Sequence, residues 1–372
     1  MVEGFLKEYL SVGDVTGTEL HAIGGYFTGC LTSSGLVVKN KALKEYFGDR
    51  KPDIGIGTSS LNHHLFFSSC KHGTRLKGLK GEMGSYGVIV NSFEELESAF
   101  VKDYKKVKND KVWCIGPVSL SNTDSLDKVQ RGHNNMNVSV DEWIHLKWLD
   151  SQKQESVVFA SLGSLCNITL PQLIELGLAL EATKRPFIWV IRKGNHLEAL
   201  EKWIEESGFD GRNDGRGLVI KGWAPQLLIL SHPSTGGFLT HCGWNSTIEA
   251  ICAGVPMVTW PLFADQFLNE ILVVQVLEVG VKIGVKSPMR WGEEEETSVL
   301  VNKEDIERGI ERLMNEKNES EERRKRIREF ADMAKKAVEN GGSSHTNVTM
   351  FIQDIMKKCR HMVSLFAKGI SS

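Results

Sequence analysis

Residues 223–266, WAPQLLILSHPSTGGFLTHCGWNSTIEAICAGVPMVTWPLFADQ, limit the folds open to this chain more than any other stretch. Their apolar spacing predicts a turn and helix over 224–230, a strand over 236–240, a helix over 245–253 and a strand over 255–260. Two strands joined through a helix make a βαβ passage, the crossover that parallel pairing requires. Open parallel sheets bind ligands beyond the carboxyl ends of their strands. His241, Gly243, Asn245 and Ser246 fall at such a place, between a strand end and a helix start. The N–H groups and positive dipole end of a helix N-terminus suit a diphosphate there.

The same alternation extends on both sides. Upstream lie an amphipathic helix at 141–150, a strand SVVFASLGS at 156–164 with Ser164 at its carboxyl end, and a helix from Pro171 to Thr183 opened by proline. Strand 187–192, helix 197–206 and strand 217–223 lead into the central stretch. Downstream, helix 266–278, strand 281–285 and helices 303–315 and 319–340 follow. This order predicts an α/β, doubly wound parallel-sheet (Rossmann-like) domain over 141–342. Before it, strand GVIVNSF (87–93), helix 94–105 and strand VWCIGPV (112–118) read as the end of another α/β unit. The polar residues 119–140 read as a linker and 343–372 as a closing helix. Residues 1–84 are glycine-rich without sustained periodicity, and no fold is assigned to them.

Composition narrows the function classes. A chain of 372 residues exceeds what one core organises, so two domains are expected. A net charge of −2 argues against a nucleic-acid partner held by phosphate neutralisation. The cysteines number seven and form no CxxC pair, which suits reduced thiols in the cytoplasm. No apolar run reaches the roughly 18 residues of a membrane span. No Walker A pattern occurs, nor a GxGxxG after a strand. The acidic run 293–296 reads as a solvated loop rather than a metal site, and ERRKRIR (322–328) as a solvated helix face.

From Trp223 to Gln266, without a gap, the chain resembles the signature box of plant family 1 UDP-glycosyltransferases, and the wider likeness runs from Ser85 to the C-terminus. That resemblance implies the GT-B type, with two Rossmann-like domains. It implies that Trp223 stacks on uracil, while the Ala224 backbone and Gln226 hold base and ribose. His241, Asn245, Ser246 and Ser164 would contact the phosphates, Gly243 and Trp244 would belong to the same UDP-sugar site, Glu249 would accept both ribose hydroxyls, and Asp265 with Gln266 would grip the sugar. Ser246 and Glu249, three apart, lie on one helix face. Each residue also has a plainer reading: Trp223 as interface core, His241 as a capped strand end, Glu249 as a solvated helix residue, Asp265 as an N-cap.

The resemblance implies inverting transfer of glucose from UDP-glucose to a hydroxyl of a flavonoid, terpenoid or cytokinin-type metabolite. The donor is a substrate, and neither a cofactor nor a metal is expected: no Asp-x-Asp occurs, and a helix N-terminus can meet the diphosphate charge. A base near neutral pKa must activate the acceptor, and histidine is the natural one. The family places that histidine in a His- and Pro-containing stretch after the first strand. Here the first proline is Pro52, and only His21 precedes it. His63, His64 and His72 are the other N-terminal histidines, and none fits the pattern, so no catalytic residue is assigned. Residues 1–118 are expected to hold only part of the acceptor-side domain. Two functions remain open: an active glucosyltransferase, or a UDP-sugar-binding chain without turnover.

Overall fold

The structure is a computed structural model describing residues 36–37, 54–57, 86–121, 140–163, 168–192, 194, 196–263, 265–285, 301–315 and 318–369. The chain forms two compact units, one of Met1–Ser121 with Met333–Ser372 and one of Asn122–Asp332.

The first unit holds a four-stranded sheet in the order β1 (Leu36–Val37), β2 (Ile54–Gly57), β3 (Gly87–Val90), β4 (Val112–Cys114). Only the β1–β2 pair is antiparallel. The run GVIV of β3 is buried throughout, as a central parallel strand of β-branched residues should be. Helix α1 (Ser98–Val107) buries Val101 and Tyr104, and its last-turn Lys105 and Lys106 complement the helix dipole. Both strands are shorter than expected, although backbone pairing continues past them, the Ile115 N–H donating to the Val90 carbonyl and the Gly116 N–H to the Ser92 carbonyl, both at 3.0 Å. The Asn91 side-chain oxygen accepts from the Val118 N–H (3.0 Å) and Ser92 donates to Glu97 (2.7 Å). A 3-10 turn occupies Val118–Ser121. Residues 122–139 of the expected linker lie outside the described residues.

The second unit runs α2 (Val140–Asp150), β5 (Val157–Ser161), α3 (Leu170–Ala182), β6 (Phe187–Ile191), α4 (Leu197–Ser207), α5 (Phe209–Arg212), β7 (Gly217–Lys221), α6 (Gln226–Ser231), β8 (Thr235–Thr240), α7 (Trp244–Ala253), β9 (Met257–Thr259), α8 (Gln266–Ile271) and β10 (Gly280–Lys282). Helix α8 continues into a π-helical turn at Leu272–Val276, where one unbroken helix to 278 is expected from sequence. Helices α9 (Lys303–Met314) and α10 (Asn318–Val338) follow. The six strands are parallel and ordered β7-β6-β5-β8-β9-β10. That is the doubly wound order in which the chain builds outward from the centre, then returns to build the other way. The reversal falls between β5 and β8, where Phe159 and Phe238, both fully buried, stack with ring centroids 4.9 Å apart.

Asn302 caps α9 by accepting the Asp305 N–H at 2.9 Å. The buried Gln172 amide on α3 exchanges hydrogen bonds with both backbone groups of Val301, fixing the entry to α9. The division between units falls inside α10, earlier than the 342/343 boundary expected from sequence. Helix α10 ends at Val338 and is continuous across Asp332 and Met333, so the unit boundary lies within a helix and not at a turn.

The last helix, α11 (Ser343–Gly369), packs on the first unit's sheet. Phe351 meets Trp113 edge-on at 5.1 Å, and the Asp354 carboxylate accepts from Tyr86 Oη and Lys111 Nζ, both at 2.7 Å. Among the described residues no helix is long and apolar enough to cross a membrane.

Candidate functional site

Most of the described residues singled out in the sequence follow carboxyl ends of second-unit strands. Trp223, Ala224 and Gln226 follow β7, His241 to Ser246 follow β8, and Asp265 with Gln266 follow β9, while Gly163 follows β5. Glu249 lies one turn beyond Ser246 on α7. Ser164 lies outside the described residues. The carboxyl ends of β5 and β8, at the reversal of strand order, are where such a sheet opens a crevice.

Trp223 is 43% exposed, so it is not part of the chain's own buried core. Ala224 is buried, and its carbonyl accepts the Gln226 N–H at 2.8 Å. The Gln226 amide donates to Glu249 Oε2 at 2.7 Å and to Ser246 Oγ at 3.3 Å. Glu249 is 6% exposed and therefore not a solvated helix residue. One amide thus holds the carboxylate and the hydroxyl on the same face of α7, beside a loop carrying an exposed indole.

His241 sits where β8 ends. A Cβ on Gly163 would come within 2.4 Å of its Cε1, and one on Gly243 within 2.4 Å of its Nε2, so the imidazole fills the space both glycines leave open. Nδ1 is buried and makes no hydrogen bond. Burial lowers the ring's pKa to about 4, so it is neutral at neutral pH. Cys242 takes a left-handed conformation, φ +63°, and turns the chain into α7. Burial raises its thiol pKa well above the ordinary value, which keeps it a packing group. Helix α7 starts at Trp244, one residue before the expected Asn245, with Gly243 at the N-cap. Trp244 is buried and Asn245 partly so. The N–H groups of such a first turn have no partner within the helix.

Asp265 stands at the N-cap of α8, yet its side chain caps nothing, so the N-cap reading fails for the carboxylate. Its Oδ2 accepts from Asn269 Nδ2 at 3.0 Å. Gln266 is 4% exposed, and its Oε1 accepts the N–H groups of Leu262 (2.8 Å) and Phe263 (3.0 Å). Two backbone donors must face the amide oxygen, so the Gln266 NH2 group is directed away from that turn.

Two residues unmarked in the sequence reading emerge here: Gly163, through its contact with the His241 ring, and Asn269, through Asp265. Asn269 is four residues after Asp265 on one helix, a spacing that could have signalled the pair. Gly163 carries no sequence signal beyond a strand end, because its neighbour is distant in sequence. Among the described residues no three His, Cys, Asp or Glu side chains group as a metal site.

The family model described as UDP-glucoronosyl and UDP-glucosyl transferase matches residues 144–317. UDP-glycosyltransferase 73C5 of Arabidopsis thaliana is 59% identical over 273 residues, covering 73% of this chain and 54% of its own length. The crystal structure of Glycyrrhiza uralensis UGT73P12 complexed with glycyrrhetinic acid 3-O-monoglucuronide superposes with a TM-score of 0.75 at 32% identity, over 89% of this chain and 79% of that one. The chain belongs to the plant family 1 UDP-glycosyltransferases. Medicago truncatula UGT71G1, solved with UDP-glucose, is a further structural relative, at 31% identity and a TM-score of 0.61, over 76% of this chain and 57% of that one. The α/β fold class is thus the GT-B type of UDP-glycosyltransferases. The chain spans about half the length of the curated relatives named by sequence. Residues 1–76 match a different family model, the HAD-like domain of RAM2-like glycerol-3-phosphate acyltransferase. That match contains His21, His63, His64 and His72.

Proposed function

We propose that the second unit binds UDP-glucose and presents it for inverting transfer to a hydroxyl of a small plant metabolite of the flavonoid, terpenoid or cytokinin type. The observation that carries this reading is the 2.7 Å bond between Gln226, three residues after the exposed Trp223, and the buried Glu249. A buried carboxylate is suited to accept hydroxyl donors, as the two hydroxyls of a ribose would be. The indole offers a face for uracil.

Charge on the diphosphate would be met by the start of α7, by Ser246 and Ser164, and by the neutral His241 ring. Asp265 and the Gln266 NH2 group would take the sugar hydroxyls. An acceptor oxygen would then attack the anomeric carbon from the face opposite the departing UDP, with its proton passing to a base. Titration calorimetry with UDP-glucose tests donor binding, and product analysis with a mixed phenolic and terpenoid acceptor set tests transfer. Absence of any heat with UDP or UDP-glucose overturns the proposal.

A second reading, UDP-sugar binding without turnover, is favoured by one finding. The N-terminal histidines lie in the stretch matching the acyltransferase HAD-like model, and not where the glycosyltransferase family carries its base. Binding of UDP-glucose without product formation selects this reading, and glucoside formation by the purified chain excludes it.

A further inference from the structure

Asn269 is completely buried on α8, and both protons of its amide are used. Nδ2 donates to the Cys242 carbonyl at 2.9 Å and to Asp265 Oδ2 at 3.0 Å. Oδ1 is buried without a hydrogen-bond partner. The amide cannot be turned over, because its oxygen would then face a carbonyl and a carboxylate, both acceptors.

The two acceptors lie on different loops, after β8 and after β9. Cys242 holds the left-handed turn between His241 and the start of α7, a conformation a non-glycine side chain resists unless neighbours hold it. Asp265 opens α8, at the end assigned above to the sugar. We propose that Asn269 is a positioning residue that ties the Asp265 carboxylate to the Cys242 turn, so that the sugar-binding and diphosphate-binding ends of the site are held as one piece. The ligands named for those two ends rest on the donor-site reading above, whereas the tie itself does not.

An aspartate at 269 would set a carboxylate against the Asp265 carboxylate and the Cys242 carbonyl. A proton shared between the two acids restores one donor, so the defect should be repaired by acid. His241, with a pKa of about 4, does not titrate in the range used and cannot imitate this. Packing alone predicts no such repair.

The test is titration calorimetry of the full chain and of Asn269→Asp and Asn269→Ala, with UDP and with UDP-glucose, at about pH 8 and about pH 6. Asn269→Asp is expected to weaken UDP-glucose roughly tenfold at the higher pH, more than it weakens UDP, and to recover at the lower pH. Asn269→Ala should show a loss that pH does not repair. Equal losses for both ligands, or a pH-independent defect in Asn269→Asp, overturn the proposal. A double-mutant cycle of Asn269→Ala with Asp265→Ala on thermal unfolding, without ligand, decides the tie separately. Non-additive unfolding temperatures support it, and additive ones overturn it even where UDP-glucose binds. A wild-type chain that binds neither ligand, yet shows the non-additivity, overturns the donor-site reading and leaves the tie standing.

Discussion

Gln226 and Glu249, on the consecutive helices α6 and α7, are joined by a 2.7 Å hydrogen bond from the first residue of one to the middle of the other. Removing the carboxylate leaves the Gln226 amide without this acceptor and deletes the group proposed for ribose. Glu249→Ala is expected to weaken UDP by about tenfold to a hundredfold, the range for hydrogen bonds to a charged group. Calorimetry with UDP checks it, and an unchanged affinity removes Glu249 from the site.

Trp223 offers the cleanest separation of binding from folding, since a residue 43% exposed contributes little core. Trp223→Ala should cost no more than about 0.5 kcal/mol of stability. Uracil stacking should nonetheless fall by about 1–3 kcal/mol, the range seen when base-stacking aromatics are truncated. Paired denaturation and UDP titrations measure both. A large stability loss with intact binding would return Trp223 to the core.

Gly163→Ala combines two penalties: a left-handed φ of +78° and a Cβ at 2.4 Å from the His241 ring. Gly215→Ala is the control, with φ +70° and open space around its Cβ. The control should lose about 1 kcal/mol from backbone strain alone, whereas Gly163→Ala should lose a further 1–3 kcal/mol, roughly, from overpacking. Only Gly163→Ala should weaken UDP. Equal unfolding midpoints for the two variants would show that the imidazole moves aside freely.

His241 makes stability depend on pH in a defined direction. Its folded pKa of about 4 lies below the ordinary 6.5, so between these values the unfolded chain binds the extra proton. Stability therefore falls as pH drops from 6.5 towards 4, by an amount on the order of 2–3 kcal/mol when complete. His241→Asn should flatten that part of the stability curve. Parallel slopes in the two proteins across the window contradict a buried, neutral imidazole.

In the first unit, Asp354 joins α11 to the sheet through Tyr86 and Lys111. Burial raises its pKa, but hydrogen bonds from Lys111 and Tyr86 more than offset this and leave it below the ordinary carboxylate value. Its contribution is thus present at neutral pH and lost as pH falls through the folded pKa. Asp354→Asn should reduce stability by about 0.5–1 kcal/mol after allowance for solvent screening. Hydrogen exchange should then show earlier opening of α11. Unchanged protection there would mean that the Phe351–Trp113 contact suffices.

Much of the second unit was readable from period alone, because its parallel strands are short apolar runs and its helices repeat at three and four residues. The readings weakened at element ends. β3 stops at Val90 and β4 at Cys114, and α8 passes into a π-turn at Leu272 although its apolar pattern continues. The unit boundary inside α10 was equally hidden, since nothing local marks the middle of a continuous helix.

From sequence alone came the alternating order of strand and helix, the family resemblance and the identity of the polar residues at strand ends, for these depend on local spacing and residue chemistry. Tertiary structure decided which of them meet. Strand order put Gly163 against His241, helix packing put Gln226 on Glu249, and burial left His241 neutral and Asn269 with both amide protons engaged. Those are effects of contact and desolvation between residues distant along the chain or across a turn, and a one-dimensional pattern does not contain the distances that produce them.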